Sequence, residues 1–143
     1  MNPKQRVRAV IERKPPDRIP VDIWHTPEVW QSLAKHFKTN DEAELYEAMN
    51  LDKIVICTFE YPCSPSQNLW GSRVKNITTS SAVYEEIDKP GLIDCDKISS
   101  IKSYPYWPDP KKYDYEKMIE RAKRFSKSFA TCGPWVSFFE IYC

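Results

Sequence analysis

The first 37 residues constrain the fold more than any other part of the chain. Asn2 precedes a proline and an apolar pattern at helical spacing, and Pro15-Pro16 ends that pattern. Residues 18–24 then alternate apolar and polar side chains, which predicts a strand. Thr26 caps a second predicted helix that runs through Phe37. A strand that leads directly into a helix is the unit of α/β sheets and barrels, in which ligands bind at the carboxyl ends of the strands.

The composition limits the classes of protein to which the chain can belong. The chain of 143 residues is 41% hydrophobic and 29% charged, which suits one domain with a buried core. The net charge of +1 gives no electrostatic reason to expect a nucleic acid or an anionic membrane as a partner. The first residues lack the apolar segment of a secretory signal, and no apolar run approaches the roughly 20 residues that span a bilayer. A cytoplasmic location is therefore expected.

The cysteines predict reduced thiols. Their number is odd and none forms a C-x-x-C pair, so neither a disulfide framework nor a zinc knuckle is expected. Cys57 and Cys132 fall in predicted strands and are interpreted as inert core thiols, whereas Cys63 in a loop is the more reactive candidate. The remaining two cysteines are Cys95 and Cys143.

Two further strands and two further helices are predicted. Asp41 and Glu44 fit a capping box for a short helix. Residues 53–58 form an apolar, β-branched run that is typical of a parallel strand buried on both faces. Asp114 is the expected cap of a longer amphipathic helix, and residues 128–132 are the third predicted strand.

Residues 69–90 are more polar and predict a β-hairpin outside the main core, with its turn at residues 79–81. A short helix is expected at residues 96–101, and three prolines exclude regular structure from residues 104–110. The chain stops inside the apolar run 136–143 with no cap or polar tail. We therefore expect further chain to follow, so that this segment is part of a larger domain.

Four segments in order resemble a known family. They are RVRAVIERKPPDRIPV from Arg6, the Trp70-Gly71 hairpin with YEEIDKP, YPYWPDP from Tyr104, and GPWVSFFE from Gly133. The chain resembles the amino-terminal part of the uroporphyrinogen decarboxylase family of (β/α)8 barrels, which includes corrinoid-linked methyltransferases. The resemblance implies a partial TIM barrel: about the first three barrel strands of a single α/β domain, with the hairpin inserted. A complete barrel needs about 250 residues.

The resemblance also indicates a branch of the family. The decarboxylases carry an arginine-rich R-Q-A-G-R segment after the first strand, similar to an anion clamp for substrate carboxylates. Here residues 24–30 read WHTPEVW, with no arginine. A corrinoid-linked methyltransferase is therefore the preferred parent enzyme, and a tetrapyrrole carboxy-lyase is the alternative. The segment alone is expected to be inactive.

Cofactors and partners follow from the same resemblance. In the methyltransferase branch, His and Cys residues of the later strands bind zinc, so zinc and a corrinoid belong to the full-length protein and not to this segment. The expected partner is a small-molecule or corrinoid-protein substrate. A different interpretation is a small non-catalytic α+β module that binds a partner protein through Phe138-Phe139.

Two residues at the ends of predicted strands are the catalytic candidates. His25 follows the first strand and suits a general base, a metal ligand or a donor to substrate; a local hydrogen bond at the helix entry is the alternative. Glu60 follows the second strand and suits an acid, a base or a ligand, with a solvated loop carboxylate as the alternative.

Five other side chains are candidates for substrate binding. The tryptophans among them would form an aromatic wall for a flat ligand such as a tetrapyrrole, or would simply pack in the core. The acidic residue among them falls on the first turn of a helix, where it would contact either the helix dipole or the substrate. The five are Trp24, Tyr61, Trp70, Trp135 and Glu140.

Overall fold

The computed structural model describes residues 1–80 and 82–135, which fall into two units. The first unit comprises Met1–Thr58 and Glu116–Pro134, and the second comprises residues 59–115 and Trp135. The helices of the described residues are α1 (Pro3–Ile11), α2 (Pro27–Phe37), α3 (Glu42–Ala48), α4 (Ile98–Lys102) and α5 (Glu116–Phe125), with one 3-10 turn at Pro110–Lys112. The strands are β1 (Ile54–Ile56), β2 (Arg73–Thr78), β3 (Val83–Lys89) and β4 (Ala130–Cys132). This mixed α/β arrangement contains two small sheets, neither closed within the described residues.

The helix starts follow from capping chemistry. The Asn2 side chain accepts a hydrogen bond from the Gln5 amide and the Gln5 side chain accepts one from Asn2, which completes a capping box at α1. Thr26 caps α2, and Asp41 caps α3. These three caps are confirmed. The predicted box at α3 is not formed as expected, because the Glu44 carboxylate accepts from the Thr39 hydroxyl, which in turn accepts from the Asp41 amide.

A parallel strand pair lies at the centre of the first unit. β1 pairs with β4, with Ile54 opposite Ala130 and Ile56 opposite Cys132. Helix α5 directly precedes β4 in the chain. Both strands are shorter than predicted. The helix before β4 begins at Glu116, two residues beyond the predicted cap, and the Asp114 amide donates to the Glu60 carbonyl at 2.9 Å.

The strand predicted at residues 18–24 is wrong, although the segment lies beside β1. Pro20 has no amide to donate, and the Asp22 carboxylate accepts the Ile54 amide at 3.2 Å. A backbone hydrogen bond of 2.7 Å, from the Asp52 amide to the Val21 carbonyl, joins the segment to the residues before β1. A single backbone bond of this kind does not make a strand ladder.

The core of the first unit packs against one face of β1. Val55 and Cys57 are buried with side chains from α3, α5 and the loop before β4, and the Tyr46 ring lies 5.8 Å from that of Phe129. Ile54, on the other face, is 39% exposed. The prediction that this strand is buried on both faces is therefore wrong, because the described residues place no layer over the second face.

An antiparallel hairpin forms much of the second unit, as the sequence predicts. β2 pairs with β3 from Thr78 opposite Val83 back to Val74 opposite Ile87, with a bulge next to Arg73. The Thr79 amide and hydroxyl both donate to the Ala82 carbonyl across the turn. Ser81 of the predicted turn lies outside the described residues. No helix in the described ranges is long and apolar enough to cross a membrane.

Candidate functional site

The first unit has an opening where the segment beside β1 ends. Trp24 and His25 stand at this end, and both border a cavity of about 180 Å³. The other bordering side chains come from that segment, α3, β1 and α5: Ile23, Tyr46, Lys53, Val55, Ile56 and Arg121. Trp24 is 79% exposed, so it is not the core residue of the alternative interpretation.

His25 is half-buried and held at the entry to α2. Its Nδ1 lies 3.3 Å from the Thr26 carbonyl oxygen, and its ring centroid lies 5.5 Å from that of Trp30. In the tautomer that donates from Nδ1 to this carbonyl, Nε2 keeps its lone pair. The predicted local contact is thus present, and in that tautomer the second ring nitrogen has the form that a base or ligand requires.

The two cations that border the opening already have acidic partners. Lys53 Nζ lies 2.9 Å from an Asp22 carboxylate oxygen and donates to the Ile23 carbonyl at 2.7 Å. Arg121 binds the Glu42 carboxylate with both terminal nitrogens, at 2.5 and 3.1 Å. The cavity is therefore nearly neutral and is not an anion clamp.

The pKa values of two side chains beside the opening are shifted in opposite directions. Burial alone would raise the pKa of Glu42, but the Arg121 guanidinium outweighs it and lowers the pKa. Burial, assisted by the Glu42 carboxylate, raises the pKa of Tyr46 to about 12. At neutral pH Glu42 is therefore ionised, and the Tyr46 phenol keeps its proton.

The other catalytic and binding candidates lie in the second unit. Glu60 is exposed and its backbone bridges to Asp114, whose amide donates to the Glu60 carbonyl. Tyr61 borders a separate cavity of about 200 Å³. Trp70 is half-buried and does not border that cavity, although its carbonyl accepts the Tyr104 hydroxyl at 2.7 Å. Trp135 is 74% exposed.

The structure thus brings Trp24 and His25 together and leaves Glu60, Tyr61 and Trp70 in the second unit. Glu140 lies outside the described residues. Sequence reasoning did not identify Tyr46, Lys53 and Arg121 as neighbours of His25, because they come from three distant elements with no common motif. The signal available was weak: a lysine at the start of a buried strand and an arginine on an amphipathic helix.

A third cavity, about 430 Å³ in volume, lies between α5 and β4 and is mostly apolar. Cys57 and Cys132 both border it, but they differ in exposure. Cys57 is buried at 3% exposure, as predicted, whereas Cys132 is exposed. The interpretation of Cys132 as a core thiol is therefore wrong, because β4 has described neighbours along only one edge. Cys63 is exposed, and desolvation raises the pKa of its thiol, which disfavours the reactive thiolate.

Among residues 1–80 and 82–135, no three His, Cys, Asp or Glu side chains converge as a metal site requires. The described residues therefore do not form a zinc site. Comparison with known proteins gives no match: no family model, curated protein or solved structure is similar to the chain.

Proposed function

We propose that this chain is the amino-terminal part of a barrel enzyme of the uroporphyrinogen decarboxylase family, and that the parent enzyme transfers a methyl group from a corrinoid. In this role the first unit supplies the beginning of a (β/α)8 barrel. Trp24 and His25 form one side of the barrel mouth, where the substrate binds. The principal chemistry belongs to later strands of the parent enzyme.

One observation carries the proposal: β1 pairs in parallel with β4, and the segment before α2 is hydrogen-bonded to the residues at the start of β1. The Asp52 amide donates to the Val21 carbonyl and the Ile54 amide to the Asp22 carboxylate, while β1 itself pairs in parallel with β4. Helices α2 and α3 separate this segment from β1 in the chain, and α5 precedes β4. Sequential parallel strands with intervening helices are what a barrel of this kind requires.

The electrostatics of the opening favour methyl transfer over porphyrinogen decarboxylation. A tetrapyrrole with several carboxylates needs unpaired cations at its site. Among the described residues, Lys53 and Arg121 are the cations that border the cavity, and Asp22 and Glu42 neutralise them. A neutral, aromatic opening beside Trp24 suits an uncharged methyl acceptor or the face of a corrinoid better.

His25 is the residue of this chain expected to act on substrate. Its Nδ1 contact with the Thr26 carbonyl orients the ring, and Nε2 remains available to accept a proton or a hydrogen bond. If the parent enzyme binds zinc, its ligands come from outside the described residues, and zinc would activate the methyl acceptor there. His25 would then position that acceptor or take up its proton.

The test is to determine the coding sequence downstream of Cys143, express the complete open reading frame and assay it with methylcobalamin and a thiol acceptor. Absorbance spectroscopy monitors the cleavage of the carbon–cobalt bond. Uroporphyrinogen decarboxylation is assayed in parallel. We expect methyl transfer, with His25→Ala lowering kcat/KM by about 100-fold, the range for loss of a general acid or base. The chain of 143 residues alone is expected to show no turnover.

The matched control is His36→Ala, since His36 is an exposed histidine on α2. It should leave kcat/KM within about twofold of the unmodified enzyme, as expected for a surface substitution. Decarboxylation without methyl transfer would replace the preferred function with the alternative. A complete barrel with neither activity, or an equal effect of the two histidine variants, would refute the proposal.

A further inference from the structure

We propose that the cavity of the second unit is a binding site for a small aromatic carboxylate, a molecule of the size and charge of benzoate. Within the described part of the chain, the residues that border this site lie between 61 and 71 and between 105 and 112. It does not depend on the barrel proposal, because none of its walls belongs to the first unit. The cavity of about 200 Å³ has room for a single ring with a small substituent.

Three aromatic residues border the cavity. Tyr61 comes from the loop after β1, and Tyr106 and Trp107 come from the proline-rich segment. Tyr61 also packs against Tyr113, with ring centroids 4.9 Å apart. Tyrosine and tryptophan bind planar rings through offset-stacked and edge-to-face contacts and lose little conformational entropy in doing so.

Hydrogen bonds hold these walls in place without a ligand. The Asp109 amide donates to the Tyr61 hydroxyl at 3.1 Å, and Trp107 Nε1 donates to the Ile101 carbonyl at 2.7 Å. Because the rings are already fixed, binding orders few side chains, and a small ligand can bind with measurable affinity.

Among the described residues that border the cavity, Lys112 carries the charged side chain, and its positive charge favours an anion. Lys112 borders the cavity, and in the described part of the chain its ammonium group has no carboxylate partner. The Asn68 carbonyl oxygen already accepts the Trp70 and Ser72 amides, so its NH2 group remains as a donor.

No carboxylate borders this cavity in the described ranges. The nearby Asp109 side chain instead accepts the Lys111 amide at 3.0 Å and caps the 3-10 turn. A cationic ligand would therefore meet Lys112 without a compensating charge. A monocarboxylate would pair with Lys112 while its ring lies between Tyr61 and Trp107.

The test is a titration of the purified, isotopically labelled chain with benzoate, followed by amide chemical shifts. Benzylamine and cyclohexanecarboxylate are titrated in parallel to separate the roles of charge and ring. We expect saturable shifts confined to residues 61–71 and 104–112, with a dissociation constant in the millimolar range that suits so small a ligand. Cyclohexanecarboxylate should bind more weakly, and benzylamine should give no saturable shift.

Lysine-to-glutamine variants at two positions of the 3-10 turn separate a specific ion pair from a general effect of positive charge. Lys112→Gln should weaken benzoate binding about tenfold, as expected when a charge-assisted hydrogen bond is lost. Lys111→Gln removes a neighbouring exposed charge that does not border the cavity and should change the affinity by less than twofold. Trp107→Leu tests the ring wall separately and should weaken benzoate more than cyclohexanecarboxylate.

The absence of saturable benzoate binding by a folded chain would overturn the inference. Equal weakening by Lys111→Gln and Lys112→Gln would also overturn it, because the binding would then be a general attraction to positive charge. Benzylamine binding as tight as benzoate binding would exclude the anion site.

Discussion

At the scale of single residues, Asp52 determines how the segment after α1 lies on the first unit. Its side chain is completely buried and pairs with the guanidinium groups of Arg6 and Arg18, the latter at 2.5 Å. It also accepts the Val21 amide at 3.0 Å. Arg6 in turn binds Asp17, so one buried carboxylate joins α1, residues 17–21 and the start of β1.

Asp52→Asn should destabilise the first unit by about 3 kcal/mol, because it leaves two guanidinium groups facing a neutral amide in a buried site. Urea denaturation followed by circular dichroism measures this loss. Asp94→Asn is the matched control, since Asp94 pairs with Lys89 but its side chain is 81% exposed. That control should stay within about 0.5 kcal/mol of the unmodified chain, as exposed ion pairs contribute little.

The same carboxylate predicts a dependence of stability on pH. Burial alone would raise the pKa of Asp52, but the Val21 amide and the guanidinium groups of Arg6 and Arg18 outweigh it and lower the pKa. A lowered folded-state pKa contributes stability that is fully present above the unfolded value of about 3.9 and is lost as the pH falls through the folded value.

We therefore expect the free energy of unfolding to fall as the pH drops below about 4. In Asp52→Asn this acid-dependent part should be smaller, so the two stability curves should converge towards low pH. Parallel curves between pH 7 and pH 2.5 would show that other carboxylates account for the acid sensitivity.

At the scale of elements, the hairpin is fixed at its base by the segment that carries Tyr104 and Tyr106. Gly71 has a φ of +74°, a conformation that favours glycine. A Cβ at this position would lie 2.6 Å from Tyr106 Cβ and 2.7 Å from the Tyr104 hydroxyl oxygen. Ser72, the next residue, is fully buried, and its hydroxyl accepts the Gly91 amide at 3.0 Å.

Gly71→Ala should therefore detach the base of the hairpin from its support, at a cost of about 1–3 kcal/mol for the strained φ and the clash. Native-state hydrogen exchange of the β2 and β3 amides should become roughly ten- to hundredfold faster. Gly133→Ala is the control, because a Cβ there meets no heavy atom within 4 Å. Unchanged exchange in the hairpin of Gly71→Ala would contradict this account of the turn.

At the scale of the whole molecule, the sequence predicted what depends on neighbouring residues. The caps at Asn2, Thr26 and Asp41 act within one helical turn. The β-branched run at residues 53–58 is sufficient by itself to predict β1. The segment 18–24 failed as a strand because the Asp22 carboxylate, and not its backbone carbonyl, accepts the Ile54 amide, which alternation of apolar and polar residues does not reveal. The cavity beside Tyr61 was missed for the same reason, since two irregular loops without periodicity form it.

Burial separates two neighbouring thiols of the central sheet. Cys57 lies with Val55 in the core and is 3% exposed, whereas Cys132, opposite Ile56, is exposed. The Cys57 amide nonetheless donates to the Cys132 carbonyl at 3.0 Å, so the two residues are adjacent in the backbone ladder. Burial also raises the pKa of the Cys57 thiol, which lowers its thiolate fraction.

Alkylation with N-ethylmaleimide at pH 7.5, with each cysteine quantified in its own peptide by mass spectrometry, should therefore distinguish these neighbours. We expect Cys57 to react at least about 100-fold more slowly than Cys132 in the native chain, because it must wait for the first unit to open. Denaturation with urea should make the two rates equal, and Cys132→Ser should leave Cys57 equally protected. Comparable native rates, or a disulfide between the two residues under mild oxidation, would show that β1 and β4 do not pair in this register.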